Sequence, residues 1–514
     1  MRREMQRLVE LDREISLFIH IDALLNWDQE TYMPSKAVGE RAEQIALIEG
    51  LAHEKSIALE VGDLLEALGS TSENPMGDPA LAPAERAYLR VLRRCFDRET
   101  KLPAELVGEL AREVSLGQAA WIEARAKNDF PAFAPHLERM VELKKRQAAC
   151  LAVGASVGKK PGQTPYDVLL DLYEPGSSEA SISKVFALLR GELVALLDKI
   201  ASRPQVDDSF LHRNCPVPNQ QAISEWLMGI LSYDPGRGRL DVVAHPFTTT
   251  LGTSDVRITT RYLPDFFVSS LFSTVHETGH ALYELDIAPG AGFEGTRLAD
   301  PASMAIHESQ SRFWENIVGR SASLWKPNYA RLRGLAGGAL DGVGLDAFVK
   351  SINKVEPSLI RTEADEVTYS LHIILRFELE SALLSGHLAA KDLPAAWNEK
   401  MKELLGVVPP DDSQGCLQDV HWSGGLFGYF PSYALGNLYG AQFWDAMKVS
   451  MPDLEERIAR GDLGSVLDWL KTNVHTSGTT YLPGELIERA TGSDLDPSHF
   501  VAYLNKKYQA VYGF

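Results

Sequence analysis

The first 200 residues repeat apolar side chains at the spacing of an α-helix, and this repeat limits the fold more than any other feature of the sequence. The clearest example is the series Leu8, Leu11, Ile15 and Phe18. Intervals of three and four residues place such a series along one helix face, which can pack against a core. Four further segments show similar patterns: 84–96, 103–126, 131–153 and 180–202. The sequence therefore predicts a body of amphipathic helices.

A short region near residue 250 departs from the helical pattern. Two β-like segments, Phe247–Leu251 and Asp255–Tyr262, are separated by a Gly-Thr-Ser turn. Alternation in the second segment puts Asp255 and Arg257 on one face and apolar residues on the other. Helical patterns resume after this region and continue toward the C-terminus. The predicted fold is mainly α, with a small antiparallel β-sheet set into the helical body.

The charge balance indicates which binding partners to expect, and the cysteines indicate the cellular compartment. The 514 residues include 51 Lys and Arg against 70 Asp and Glu, which gives a net charge of −19. Nucleic acids and anionic membranes attract basic surfaces, so neither is expected as the main partner. No apolar run reaches the roughly 18 residues that span a bilayer, and the charged N-terminus is unlike a signal peptide. Four widely spaced cysteines suit free thiols in a reducing compartment, so we expect a cytoplasmic protein.

The motif His276-Glu277-Thr278-Gly279-His280 has the spacing of a metal site. Residues four apart lie on one helix face, so His276 and His280 can present imidazole nitrogens to one Zn²⁺. Glu277 projects beside them, where a carboxylate can take a proton from a zinc-bound water of lowered pKa. The preceding residues are apolar, which favours a buried helix over two unrelated surface histidines. The motif therefore predicts a catalytic metal site.

A catalytic zinc site of this kind needs a third protein ligand. Glu308 is the best candidate, since a second helix beginning near Ala302 would carry its carboxylate to the metal. His307 is the rival, although it also suits structural packing. Adjacent residues on a helix face different ways, so only one of the two is expected to bind. The residues alone leave the choice open.

A polar stripe follows in the last third of the chain, at spacings of three and four residues. Its members are Arg361, Asp365, Tyr369, His372, Arg376 and Glu380. Such a stripe on a helix is usually a solvated surface laced with ion pairs. The tyrosine and the histidine favour a second interpretation, in which the stripe lines a cleft.

The segment between Gly415 and Tyr433 combines glycines, aromatic residues and a histidine. A zinc peptidase stabilises the tetrahedral oxyanion with donors in addition to the metal, and His421, Tyr429 and Tyr433 can supply them. The alternative is a loop whose aromatic side chains fill the core.

Taken together, the motifs resemble those of the carboxypeptidase Taq family of zinc metallocarboxypeptidases, over nearly the full chain. Six signatures occur in the order typical of that family: His245-Pro246-Phe247, Asp255-x-Arg257-x-Thr259, His276 to His280, His307-Glu308-Ser309-Gln310, Ile360-Arg361-x-x-Ala364-Asp365 and Gly415-x-x-Gln418-Asp419-x-His421-Trp422. Two further segments are similar: Trp27-Asp28-Gln29-Glu30 and Tyr173-Glu174-Pro175-Gly176. An ordered set of this size is far more specific than the zinc motif alone.

The resemblance implies a fold, a metal centre and an activity. It implies a large helical gluzincin, homodimeric, with the small sheet beside a deep active-site groove. The implied zinc ligands are His276, His280 and Glu308, with Glu277 as general base and acid. The implied reaction releases single C-terminal residues from peptides with broad specificity, and Co²⁺ or Mn²⁺ can replace Zn²⁺ at such sites.

The matching motifs also supply candidates for substrate binding: Arg361, Arg257, His245, Asp255 and Gln418. A carboxypeptidase must pair the free α-carboxylate of its substrate, and the guanidinium fork suits that geometry. Arg361 is the better candidate, because an ion pair with Asp255 is an alternative explanation for Arg257. By analogy with thimet-type oligopeptidases, His421 and the Tyr433 twelve residues later come slightly ahead of Tyr429 as oxyanion donors.

The sequence predicts one metallocarboxypeptidase domain over 1–514, because it contains no repeat, low-complexity tract or long linker. Its N-terminal helical part covers about 1–203 and its zinc-bearing part about 204–514. Two other functions remain possible on the residues. The same zinc helix serves oligopeptidases and dipeptidyl carboxypeptidases, and a helical peptide-binding scaffold would hold zinc only structurally.

Overall fold

The computed structural model describes residues 1–152 and 163–514, and 66% of the chain is helical. The helices are α1 Arg3–Thr31, α2 Val38–Ser56, α3 Leu59–Ala67, α4 Pro83–Thr100, α5 Ala104–Lys127, α6 Phe130–Ala152, α7 Pro165–Leu170, α8 Glu179–Ala201, α9 Val217–Ile230, α10 Val268–Asp286, α11 Met304–Arg312, α12 Ala322–Leu335, α13 Leu345–Ser351, α14 Thr368–Ser385, α15 Leu393–Leu405, α16 Pro431–Ser450, α17 Leu454–Ala459, α18 Gly464–Asn473, α19 Pro483–Thr491 and α20 Ser498–Tyr512. Across these described stretches, none of the helices is both long enough and apolar enough to pass through a bilayer. The mainly α prediction is confirmed.

The helices predicted in the N-terminal part are present as α1, α4, α5, α6 and α8. Their ends follow local sequence signals. Asn128 adopts the left-handed conformation that ends α5, and Ser178 caps α8 by accepting from the backbone of Ser181. The predicted segment 131–153 agrees with α6 up to Ala152, and its last residue lies outside the described residues.

The sheet has three strands, β1 Leu240–Val242, β2 Thr248–Gly252 and β3 Asp255–Thr260, with β3 in the centre. β2 pairs with β3 in antiparallel register, as predicted, but β1 runs parallel to β3. The antiparallel prediction is therefore corrected to a mixed sheet. The three residues of β1 are too few to show an alternating pattern, so this strand could not be predicted from periodicity.

The two faces of β3 contact different helices. Val256 and Ile258 are buried in an apolar cluster with Ala281 and Leu285 of α10. Arg257 points to the opposite face, because neighbouring residues of a strand alternate. The sheet therefore supports the helix that carries the histidine motif.

By internal contacts the chain forms two compact units, each made of three segments. The first unit comprises Met1–Glu99, Val206–Asn353 and Tyr439–Leu495. Its largest apolar cluster joins α1, α3 and α4 through residues such as Leu8, Leu65 and Leu89. This unit contains the mixed sheet, α10 and α11.

The second unit comprises Thr100–Gln205, Lys354–Leu438 and Asp496–Phe514. Phe377 of α14 lies at its centre, with the rings of Tyr166 and Phe186 packed edge-on against it. The boundaries of both units differ from the predicted division near residue 203, and the single-domain assignment stays a prediction.

Candidate active site

Helix α10 carries both histidines of the predicted metal motif in the first unit. Fourteen of the 19 residues of the helix are buried, as the apolar run before His276 predicted. Gly279 is needed for packing. A Cβ atom at this position would lie 2.7 Å from the carbonyl oxygen of Gln310 and 2.8 Å from the Cα of Ser311. The glycine therefore allows α11 to approach α10 closely enough to share a site.

Helix α11 begins at Met304, close to the predicted start, and the Ser303 side chain caps it by accepting from the backbone of Ile306. Glu308 lies on its second turn. The Oε2 atom of Glu308 is 3.8 Å from Nε2 of His276 and 3.4 Å from Nε2 of His280. The three ligand atoms lie within 4.8 Å of one another, which makes this group a candidate metal triad.

The other ring nitrogen of each histidine is already bonded. Nδ1 of His276 lies 2.9 Å from a carboxylate oxygen of Glu315. Nδ1 of His280 lies 3.1 Å from the backbone carbonyl of His307. Both partners accept, so each Nδ1 carries the proton and each Nε2 turns its lone pair toward Glu308. The donor set therefore fits a divalent cation.

His307, the rival ligand, faces elsewhere. Its ring stacks on His280 with centroids 4.1 Å apart, and its Nε2 lies 3.1 Å from Glu284. The candidate triad contains Glu308 and not His307. This agrees with the expectation that neighbouring residues on a helix point in different directions.

The electrostatics of His280 and Glu308 suit metal binding. Burial and the nearby His307 together lower the pKa of His280 to about 3, so the imidazole is neutral. Burial raises the pKa of Glu308, but Arg312 and His276 outweigh this effect and hold the pKa well below its usual range. A neutral imidazole and an ionised carboxylate are the forms that bind a metal.

Glu277 is buried beside the triad, and strand β2 holds its carboxylate. The hydroxyl of Thr248 donates to Oε2 of Glu277 over 2.6 Å. Burial raises the pKa of Glu277, while His276 and the Thr248 hydrogen bond oppose the rise. Sequence reasoning did not identify Thr248, although it follows directly after the His245-Pro246-Phe247 motif.

A second supporting residue, Glu315, was also missed. It lies in a π-helical segment, Phe313–Val318, that continues α11. Arg320 donates to its second carboxylate oxygen over 3.1 Å, and together with His276 and Arg312 it keeps the pKa of Glu315 below the usual range despite burial. Glu315 lies seven residues after Glu308, about two turns along the helix, so helical spacing places both on one face. Its contact with His276 joins two helices, and the spacing within one helix gives no signal for such a contact.

The second unit holds a buried cluster that carries positive charge, unlike the metal-binding group of the first unit. Arg361 and Arg376 share the carboxylate of Asp419, at 2.8 and 2.6 Å. Arg361 also donates to the hydroxyl of Tyr369 over 3.2 Å, and its guanidinium lies 4.9 Å from the ring centre of Tyr433. Two arginines with one carboxylate leave this group with an excess of positive charge.

The predicted polar stripe is only partly helical. Arg361 belongs to a separate 3₁₀ turn, Arg361–Glu363, and α14 begins at Thr368. Arg376 and Glu380 are fully buried, so the surface interpretation of the stripe is wrong. Inside the unit its charged side chains bind distant partners, such as Asp419 for Arg376 and Trp422 for Glu380.

Gln418 binds the same cluster through its amide group. Its oxygen accepts from the backbone N–H of Arg361 and from Arg376, and its nitrogen donates to the carbonyl of Leu359. These contacts hold the Arg361 turn against the 415–422 segment. A direct contact of Gln418 with substrate stays a prediction.

The predicted oxyanion donors lie together in the second unit. Nε2 of His421 is 3.2 Å from the hydroxyl of Tyr433, and the ring of Tyr429 packs edge-on against Tyr433 at 5.3 Å. Burial lowers the pKa of His421 to about 4, since the pull of Asp419 is opposed by the nearby arginines. The imidazole is therefore neutral near pH 7 and carries one N–H.

The remaining predicted site residues lie on and beside the sheet of the first unit. Arg257 donates twice to Asp255, at 2.9 Å each, and lies 4.3 Å from the ring centre of Trp27. His245 is exposed in the connection between β1 and β2. The ion pair anticipated as the alternative for Arg257 is present, and Arg257 lies on the face of β3 away from α10.

Comparison with known proteins identifies this arrangement. The family described as "Carboxypeptidase Taq (M32) metallopeptidase" matches residues 7–508. Thermostable carboxypeptidase 1 of Thermus thermophilus is 43% identical over 512 residues, covering 99% of each chain. Carboxypeptidase 1 of Bacillus subtilis is 37% identical and covers 98% of this chain and 97% of its own.

Solved structures agree with this result. The crystal structure of the M32 carboxypeptidase from Deinococcus radiodurans matches with a TM-score of 0.94 and 39% identity, and covers all of both chains. The family consists of metallopeptidases, and the curated relatives are named as carboxypeptidases. The chain belongs to the carboxypeptidase Taq (M32) family and is a metallocarboxypeptidase, a peptide hydrolase that depends on a divalent metal.

Proposed function

We propose that the protein is a zinc-dependent carboxypeptidase that releases single C-terminal residues from peptides with broad specificity. The observation that carries the proposal is the convergence of His276, His280 and Glu308 beside the buried carboxylate of Glu277. Three protein ligands leave one position of a tetrahedral metal for the reaction, whereas structural zinc sites are closed by four. This argues against the scaffold alternative.

The metal would be held by His276, His280 and Glu308, and when bound it supplies a Lewis acid that polarises the scissile carbonyl and activates water. Nitrogen and carboxylate ligands suit Zn²⁺, and Co²⁺ or Mn²⁺ would also fit them. The protein's part is to fix the ligands. Glu315 and the carbonyl of His307 set the histidine tautomers and orientations.

Glu277 acts as general base and then as general acid. Its carboxylate takes a proton from the attacking water and passes it to the leaving amine. Thr248 holds one oxygen of this carboxylate, so the other is available for the transfer. The raised pKa of Glu277 makes its carboxylate a better base than an exposed glutamate, because a buried charge accepts a proton more readily.

Arg361 is our assignment for the substrate's C-terminal carboxylate. Its contacts with Asp419 and Tyr369 use three of the five guanidinium N–H groups and leave two for a ligand among the described contacts. The positive excess of Arg361 and Arg376 over Asp419 favours binding of an anion. Arg257, Asp255, His245 and Gln418 are proposed as weaker contributors, since their motifs match the family.

The oxyanion of the tetrahedral intermediate is assigned to His421 and Tyr433. Preorganised neutral donors stabilise such a charge at little cost, because they need no rearrangement during the reaction. Tyr429 packs on Tyr433 and is the third candidate. The family resemblance further leads us to propose a cytoplasmic homodimer that acts on peptides with a free C-terminus.

Mass spectrometry of one N-acetylated peptide tests this function. The peptide is prepared as the free acid and as the C-terminal amide, and each form is incubated with the protein with and without a chelator. The proposal predicts a ladder of products from the free acid alone, each shorter by one residue, and no products with chelator. The matched amide controls for the need for a carboxylate.

Other patterns would change the assignment. Internal cuts in both peptides, or loss of two residues at a time, would move the protein to the oligopeptidase or dipeptidyl carboxypeptidase class and remove the role of Arg361. Cleavage that persists after the metal is removed would contradict the metal-dependent mechanism.

A further inference from the structure

Helix α14 carries a carboxylate, Glu380, that no step of the proposed reaction uses. The side chain is fully buried, yet it makes no ion pair within 4 Å among the described residues. It accepts three hydrogen bonds instead. Oε1 accepts from the indole N–H of Trp422 over 2.8 Å. Oε2 accepts from the hydroxyl of Tyr166 over 2.9 Å and from the backbone N–H of Gly428 over 3.0 Å.

Two of these donors lie on the loop that bears the proposed oxyanion residues. We define the His421 loop as residues 421–430. Trp422 follows His421 directly, and Gly428 precedes Tyr429. The bonds to Glu380 therefore fix the loop next to both functional side chains. Tyr166, the third donor, belongs to α7 and donates to the same oxygen as Gly428.

The loop has little freedom to rearrange around these bonds. Gly428 has a φ of +84°, and a Cβ atom there would lie 2.7 Å from the backbone nitrogen of Leu170. The Trp422 ring packs edge-on against Trp397, with centroids 6.0 Å apart. The backbone N–H of Leu426 closes the loop by donating to the carbonyl of His421 over 2.9 Å. The geometry of the loop depends on contacts that surround the Glu380 carboxylate.

Charged groups lie near Glu380 on neighbouring elements. Arg376 lies one turn earlier on α14, and the buried Lys144 approaches from α6. Burial raises the pKa of Glu380 to about 7, although Trp422, Gly428, Tyr166 and Arg376 all oppose the rise. Burial lowers the pKa of Lys144 to about 8, against the attraction of Glu380. The carboxylate therefore changes its protonation within the physiological pH range.

We propose that Glu380 is a positioning residue that holds the His421 loop in its working conformation through three simultaneous hydrogen bonds. This role rests on the proposed function of His421. An ionised carboxylate accepts all three bonds, whereas a carboxylic acid carries a hydrogen that must displace or weaken one of them. Protonation of Glu380 below about pH 7 thus loosens the loop.

Kinetics of E380Q provide the first test. The amide group turns a donor toward one of the three N–H or O–H groups, so we expect kcat to fall by about 10- to 100-fold with KM within about twofold. Thermal denaturation and metal content show whether E380Q is folded. The same variant made on H421A should lower kcat by less than about twofold further, because the residue through which Glu380 acts is gone.

W422F and W397F form a matched pair that keeps the test valid if E380Q does not fold. Both variants exchange a buried indole for a phenyl ring. Only W422F removes a hydrogen bond, since the Trp397 indole N–H has no partner in the described part of the chain. We expect kcat to fall about tenfold more in W422F than in W397F, because both variants weaken the same ring contact and only W422F also loses the hydrogen bond. Equal effects in the two variants would overturn the proposal.

A spectroscopic measurement separates this proposal from the proposed function. The indole N–H resonance of Trp422, assigned with W422F, should shift with a midpoint at about pH 7 in the wild type and stay constant in E380Q. An indole resonance that is the same in the wild type and in E380Q at every pH overturns the role of Glu380. Near-wild-type kcat in H421A, with the titration present, would instead overturn the role of His421 alone.

Discussion

Each unit of the protein buries a polar cluster, and the two clusters are suited to ligands of opposite charge. In the first unit, lone pairs of His276, His280 and Glu308 converge on one point and create a site for a cation. In the second unit, Arg361 and Arg376 surround the single carboxylate of Asp419 and create an excess of positive charge. One cluster is complete only with a metal, and the other is suited to an anion.

The clusters also differ in how the chain assembles them. Both histidines come from one helix, and Glu308 is only 28 residues beyond His280. Asp419 lies 58 residues from Arg361 in sequence and 43 from Arg376. Residues that are close in sequence can be recognised as a motif. Residues that are far apart in sequence form a cluster only after the unit has folded, so the sequence does not reveal it. Four substitutions test the two clusters.

E277Q should have the largest effect. It changes the reaction at the first cluster and leaves the metal ligands in place. The amide cannot take a proton from the attacking water, so turnover should fall by about 10²- to 10⁴-fold. Metal content should remain that of the wild type, because Glu277 is not a member of the triad. Steady-state kinetics and elemental analysis check both points. Near-wild-type turnover in metal-loaded E277Q would contradict the general-base role.

D419N should break the second cluster by leaving two buried guanidinium groups without their shared carboxylate. We expect a loss of about 3–5 kcal/mol in the free energy of unfolding, measured by denaturant titration. Asp453, which pairs with Arg457 at the surface, provides the control. D453N should leave the unfolding midpoint unchanged. Equal stability of D419N and the wild type would mean that Asp419 does not hold the arginines together.

E315Q should weaken metal binding without changing the triad. The variant replaces the carboxylate that orients His276, and the loss of such a supporting contact costs about 10- to 100-fold in metal affinity. E284Q is the matched control, because Glu284 contacts His307, which is outside the triad. Competition with a chromophoric chelator measures both affinities. Equal affinities in the two variants would remove Glu315 from the metal site.

T248V should have the smallest effect of the four. Valine keeps the shape of threonine but loses the hydrogen bond to Glu277, so kcat should fall about tenfold with little change in KM. T249V is the control, since Thr249 lies on the same strand but faces the other side of the sheet. A T248V enzyme as active as T249V would show that the base needs no support from β2.

The sequence predicted those features that depend on local spacing. The helices followed from apolar periodicity. The two histidines of the candidate metal triad followed from one motif, whereas the choice of Glu308 over His307 came from the family resemblance. Glu315 was missed because its partner His276 lies on another helix, 39 residues earlier in the sequence. Glu380 was seen only as part of a stripe, since its partners Trp422, Gly428 and Tyr166 are far away in sequence. The parallel strand β1 was too short to carry any pattern.

The most direct test of the metal-ligand assignment is a calorimetric titration of the metal-free protein with Zn²⁺ in three forms: wild type, E308A and H307A. We expect one tightly bound zinc per chain in the wild type and in H307A, and loss of tight binding in E308A. His307 and Glu308 are neighbours on α11, so the pair controls for general damage to the helix. Tight binding retained in E308A and lost in H307A would contradict the assignment of the metal ligands.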